Sequence, residues 1–128
     1  MTSVEIPQSV AAALPTLAVF DITNDVSREL RGCGLLEGLA FVSAGLPTSV
    51  VRVSEREAGF FCDFEAMLAR LVPLGAGDRE RLLLALLGPR TEQIPFTQGR
   101  LCLGQWQRVL LFGFNGDPRA DFMLTAIG

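Results

Sequence analysis

Trp106–Phe114 limits what this chain can fold into more than any other segment. Leu110, Phe112 and Phe114 alternate with Val109 and Leu111, so an extended chain here is apolar on both faces. Such a strand cannot form the solvated side of a sheet, and the pattern predicts that it lies at the centre of one. The chain has 128 residues, 49% of them hydrophobic, which is enough to bury a core without disulfide or metal staples. A single domain over residues 1–128 is expected.

Around that strand the pattern alternates between helical and extended spacing. Thr16–Ile22 reads as extended and leads into a short helix, capped by Thr23 or Asn24 and ended by Gly32, with Val26 and Leu30 on one face. Asp63 is the predicted cap of a second helix. Its stripe of Phe64, Met67, Leu68, Leu71 and Val72 is stopped by Pro73. Asp78 starts a third helix that Gly88-Pro89 ends. Leu82–Leu87 is apolar all the way round, so this helix is expected to be covered on several sides, by its own domain or by a partner subunit. Gly38–Ala44 and Ser49–Glu55, joined by Gly45-Leu46-Pro47, read as a hairpin. Gln93–Phe96 and Arg100–Gly104 read as another, turning at Thr97-Gln98-Gly99. Asn115-Gly116-Asp117-Pro118 is a turn signal before a last strand at Phe122–Ile127. Helices set among hairpin-linked strands indicate an α+β fold, mostly antiparallel.

The chain contains no histidine, so triads and metal sites built on imidazole are excluded. Cys33, Cys62 and Cys102 are too dispersed for a zinc site and odd in number; they read as small buried hydrophobes in a reducing compartment. Net charge is −3, and all eleven basic residues are arginines scattered without a block, which gives no footprint for nucleic acid. Ile6–Phe20 is uncharged but lacks a basic leader, is broken by Pro7 and Pro15, and falls short of the ~20 apolar residues of a membrane span. A cytoplasmic chain that binds neither membrane nor nucleic acid is expected, with no cofactor and no metal.

Carboxylates, arginines, hydroxyls and backbone remain to carry chemistry. Gly32-Cys33-Gly34 and Gly75-Ala76-Gly77 lack the lysine and the strand-to-helix setting of a phosphate loop and read as turns. Glu55 and Glu57, flanked by Arg52 and Arg56, form the densest charged group beside a strand end. They would either orient a polar ligand or make a solvated turn with weak surface pairs. Gln107 alternates with Val109 and Leu111, so its amide is expected to be buried and bonded to backbone.

Gly99-Arg-Leu-Cys-Leu-Gly-Gln-Trp-Gln107, followed by the apolar strand and Phe114-Asn-Gly116, resembles the G-x-L-x-L-G-x-W-Q stretch of the YjbQ-like family. These small proteins are described as secondary thiamine-phosphate synthases, and many are uncharacterised. The resemblance runs back through Leu87-Gly88, the Asp63–Pro73 helix and Gly38-Leu-Ala-Phe-Val-Ser to Phe20-Asp-Ile-Thr23. Leu46-Pro-Thr-Ser-Val-Val-Arg-Val-Ser-Glu55 falls in the place of the family's H-T-T-A-A-L-T-I-N-E signature. Leu46 stands where the signature histidine would be, and Arg81 where a helix histidine would be. The loop after Pro73 omits a polar segment, Gly113 replaces an acidic residue, and Ala120 and Asp121 replace arginines. Thr48, Ser49, Glu55, Trp106, Gln107 and Arg119 keep their place.

This resemblance implies two packed, mainly antiparallel sheets with about three helices, and a homotrimer. Scaffold markers survive while polar ligands are lost, which suggests a catalytically depleted member kept for oligomeric assembly or for binding a small ligand. The alternative is a divergent thiamine-phosphate synthase-like enzyme that binds a phosphorylated or anionic substrate through Arg52, Arg81 or Arg119 with Glu55. The candidate ligand-binding residues are Glu55, Arg81, Gln107, Arg119, Thr48 and Ser49.

Overall fold

The strand that is apolar on both faces is the middle strand of an interior sheet. The computed structural model describes residues 2–6, 16–114 and 120–128. In chain order these form β1 (Thr2–Ile6), β2 (Ala18–Asp21), α1 (Thr23–Gly32), β3 (Glu37–Ala44), β4 (Ser49–Glu55), α2 (Ala58–Leu71), α3 (Arg79–Leu87), β5 (Thr91–Thr97), β6 (Arg100–Leu101), β7 (Gln107–Gly113) and β8 (Ala120–Ile127). One sheet runs β1-β8-β3-β5-β6 and the other β2-β7-β4, and every pairing among the described residues is antiparallel.

Alternation along the three-stranded sheet builds two cores. Phe20, Val51, Val109 and Leu111 face the larger sheet and meet Val42, Ile94, Phe96, Phe122 and Leu124, with Val26 and Leu30 of α1 in the same core. Val19, Val50, Leu110 and Phe112 face the other way, onto Phe61 and Leu68 of α2 and Leu83 of α3. The result is three layers: five strands, three strands, then the α2–α3 pair. A strand can be apolar on both sides only in the middle one.

Several expectations need correction. Gly38–Ala44 and Ser49–Glu55 are strands, but they do not pair. β3 has β5 and β8 on its two edges, so the chain turns a corner at Gly45–Thr48 and β4 joins β7 in the other sheet. Arg90 holds that corner by donating to the carbonyls of Ala44 (2.8 Å), Leu46 (2.6 Å) and Ser49 (3.3 Å). α2 starts five residues before Asp63. Glu57 is its cap, accepting from the Gly59 and Phe60 amides at 2.8 and 2.6 Å, a role that a longer carboxylate fills less often than aspartate. β1 was not foreseen, and the Asn115–Pro118 turn lies outside the described residues. All three cysteines are exposed rather than buried: Cys33 follows the end of α1, Cys62 lies on α2 and Cys102 in the β6–β7 connection.

α3 is covered on one side only. Leu83 is buried, while Leu82 and Leu86 stay exposed and, with Leu71, line an apolar groove of about 350 Å³.

Candidate functional site

Among the described residues, the densest polar arrangement gathers where the middle sheet ends. Asp21 is the last residue of β2, and its side chain is only 4% exposed. Its Oδ1 accepts from the Thr23 amide (3.1 Å) and the Thr23 hydroxyl (2.7 Å), so Asp21 does the capping work expected of Thr23 or Asn24. The Thr23 hydroxyl in turn accepts from the Val109 amide at 2.8 Å. Oδ2 of Asp21 accepts from Arg108 Nε at 2.8 Å and from an Arg56 terminal nitrogen at 3.2 Å. β2, the start of α1, β7 and the segment after β4 therefore meet on one buried carboxylate.

Burial alone would push the Asp21 carboxyl up. The hydrogen bonds from Arg108 and Thr23, with the charge of Arg108, more than offset this and hold it below its ordinary value. A depressed folded-state value stabilises the fold above the ordinary aspartate range, and that contribution is lost as pH falls through the folded value. The thermal midpoint of Asp21→Asn should accordingly lie below that of the parent at neutral pH. The gap should close progressively below about pH 4. A pH-independent gap in paired melts would refute this role for the charge.

Outside this carboxylate lies an open cleft of about 440 Å³, lined by Glu55, Arg56, Glu57, Gln105, Trp106 and Arg108. A tight turn builds one wall. The Gln107 amide donates to the Gly104 carbonyl (3.1 Å), and the Gln107 side-chain oxygen accepts from the Gly104 amide (2.7 Å), which thrusts Gln105 and Trp106 outward. Trp106 is 68% exposed. Glu57 is committed to the first turn of α2, whereas the Glu55 carboxylate makes no hydrogen bond or ion pair among the described residues.

The sequence-predicted residues distribute unevenly around this cleft. Glu55 lines it, and Gln107, its cross-strand neighbour, props the Trp106 turn. Gln107 is exposed rather than buried, because β7 begins there beyond the layers that cover its middle, although its bond is to backbone as expected. Thr48 and Ser49 lie at the far end of β4, roughly 20 Å away at the rise of an extended strand. The Ser49 hydroxyl donates to the Leu46 carbonyl at 2.8 Å, and the Thr48 carbonyl accepts from the Phe114 amide at 3.1 Å. Arg81 projects from α3 and pairs with Asp78 at 3.5 Å, 84% exposed. Arg52 donates to the carbonyls of Val51 and Pro89. Arg119 lies outside the described residues.

Among the described residues of one chain, then, the candidates do not share a pocket. The arginines that reach Glu55's cleft are Arg56 and Arg108 rather than Arg52 or Arg81. Asp121, where an arginine was expected, packs against Gly45 at the β3–β4 corner, next in the chain to Leu46, where a histidine was expected. The Gly45 amide donates to the Asp121 carbonyl at 2.9 Å, and the Asp121 carboxylate fills the space a side chain on Gly45 would need. Among the described residues no three histidine, cysteine, aspartate or glutamate side chains are grouped to hold a metal ion, and no helix is long and apolar enough to cross a membrane.

Comparison with known proteins places this geometry. A family model described as "UPF0047 protein YjbQ-like" matches residues 13–128. A UPF0047 protein of Archaeoglobus fulgidus is 32% identical over 117 residues, which cover 85% of this chain and 90% of that one. A UPF0047 protein of Methanothermobacter thermautotrophicus is 28% identical over 118 residues, 86% of this chain and 82% of that one. Among solved structures, a hypothetical protein from Aeropyrum pernix superimposes with a TM-score of 0.82 at 25% identity, covering 99% of this chain and 97% of that one. An uncharacterised YjbQ/UPF0047-family protein from Clostridium acetobutylicum reaches 0.83 at 21% identity, covering 99% and 100%. The names of these relatives state no activity.

Proposed function

The chain belongs to the UPF0047 YjbQ-like family, a family of unknown function, and we propose that it is a catalytically depleted member that binds a small anionic ligand in the cleft between Glu55 and Trp106. One observation carries this reading. Two arginines, Arg56 and Arg108, are held at the cleft by a buried carboxylate, beside an exposed aromatic residue and a glutamate that makes no ion pair among the described residues. Guanidinium N–H groups not used by Asp21 remain to meet an oxyanion, and the indole offers a face for a flat apolar part. The corner at Leu46 supports the loss of the older chemistry, since its carbonyls are taken up by Arg90 and no imidazole is present.

On this proposal residues 1–128 are one cytoplasmic domain that assembles as a homotrimer. Free, exposed thiols suit a reducing compartment, and the open apolar face of α2 and α3 supports association.

Trp106 is the only tryptophan and there is no tyrosine, so indole emission reports on this cleft alone. Titration with inorganic phosphate or an aryl phosphate is expected to change that emission saturably, and Arg108→Ala is expected to abolish the change. A flat titration for both ligands would sink the proposal. The second reading, an enzyme of thiamine-phosphate synthase type, draws on the same cleft with Glu55 as its free acid. Complementation of a thiamine-requiring strain that fails with Glu55→Gln would establish it in place of the first.

A further inference from the structure

Counted as formal charges, the cleft is negative. Arg56 and Arg108 bring two positive charges, against three negative ones from Asp21 behind them and from Glu55 and Glu57 in the lining. The amides that Glu57 accepts from fix where its carboxylate sits without removing its charge. A bare oxyanion would therefore find guanidinium hydrogen bonds here but no net attraction. The rest of the lining indicates what would complete it. Glu55 is exposed at the end of β4 and makes no hydrogen bond or ion pair among the described residues, and the exposed Trp106 lines the same cleft. A free carboxylate and an indole face both attract an ammonium group, one by charge and the other through the ring quadrupole. We infer that the ligand of this cleft is a small zwitterion, an oxyanion joined to an ammonium group, with the oxyanion at Arg56 and Arg108 and the ammonium at Glu55 and Trp106. This rests on the anion-binding reading of the cleft and names what the anion carries with it.

The strand register explains why the two poles stay open to a ligand. β4 and β7 set Ser54 opposite Arg108 and Glu55 opposite Gln107, so Glu55 and Arg108 leave the ladder on opposite faces. They line one cleft at the end of the sheet without closing on each other as an ion pair. Asp21 takes only the Nε of Arg108, and both terminal nitrogens lack a partner among the described residues. Paired guanidinium donors of this kind suit a carboxylate or phosphate group. The cleft, at about 440 Å³, is within the size range of small-molecule pockets.

The test is binding to the parent and to Glu55→Gln at constant ionic strength, read from Trp106 emission and checked by calorimetry. The probes are inorganic phosphate, choline, phosphocholine, and the neutral isostere of phosphocholine in which tert-butyl replaces trimethylammonium. The parent is expected to bind phosphocholine about tenfold more tightly than the isostere, which keeps the shape and the phosphate but lacks the cation. Glu55→Gln is expected to lose most of that preference while binding inorganic phosphate more tightly than the parent does. A merely structural role for Glu55 would weaken both. If the parent binds phosphate and the isostere but prefers phosphocholine to neither, or if the preference survives in Glu55→Gln, the inference is overturned while the cleft reading stands. No saturable binding of any phosphate probe overturns both, as does choline binding as tightly as phosphocholine. A response to phosphatidylcholine vesicles with none to free phosphocholine would move the site to a membrane surface and overturn the inference of a small ligand.

Discussion

Phe112→Ala is expected to remove about 3–5 kcal/mol of folding stability. Phe112 is buried near the C-terminal end of β7, on the face turned to the helices. Its ring meets Phe61 edge-on at 6.1 Å and Phe64 at 5.2 Å, and its cross-strand neighbours Val19 and Val50 lie in the same core. Truncation leaves a cavity between a sheet and two helices, none of which can collapse into it without breaking its other contacts. Urea unfolding should show a lower midpoint with an unchanged slope. A loss under about 1 kcal/mol would mean that α2 does not pack there.

Gly38→Ala should cost a similar amount by a different route. Gly38 has a φ of 152°, a conformation that side chains disfavour, and a Cβ on it would run into the Ile127 carbonyl oxygen and the Gly128 Cα. Strain and overlap each cost about 1–3 kcal/mol, and the obstacle is backbone rather than a side chain free to turn aside. A fall in thermal midpoint of about 10–20 °C is expected. Gly99→Ala is the control. Its φ of 71° lies in the left-handed region that side chains occasionally adopt, and the nearest side-chain atom to a Cβ there is in ordinary contact, so a milder strain acts alone and the fall should be much smaller. Equal losses at the two sites would refute the steric account of Gly38.

What the sequence revealed and what it hid follow the range of the interactions involved. β7 was legible because its apolar residues on both faces are a local pattern, and the β5–β6 turn because Gln98 and Gly99 carry the positive φ values that a tight turn needs. The ends of α2 and α3 were legible from Pro73 and Gly88-Pro89. The β3–β4 connection was misread because a short turn-like joint looks the same whether the next strand pairs with the last or enters the other sheet. That choice is made by β5, β7 and β8. The Asp21 cluster was invisible for the same reason. Its arginines lie 35 and 87 positions away, and only the folded topology brings them to one oxygen. The Glu55 group was marked by its local charge density, and the arginine next to it, Arg56, does line the cleft.

A strand apolar on both faces has a weakness of its own: its pattern does not say which residue faces which core. Leu110 and Leu111 are the same residue on opposite sides of the middle sheet, so sliding β7 by one position would exchange cores at little hydrophobic cost. The polar end of the strand removes the ambiguity. Arg108 reaches Asp21, and the Val109 amide reaches the Thr23 hydroxyl, only when β2 and β7 are in phase as they stand. A one-residue slip would take Arg108, the closer of its two arginines, away from a buried carboxylate. The residues that prepare the cleft are thus the ones that tell the interior strand where to stop.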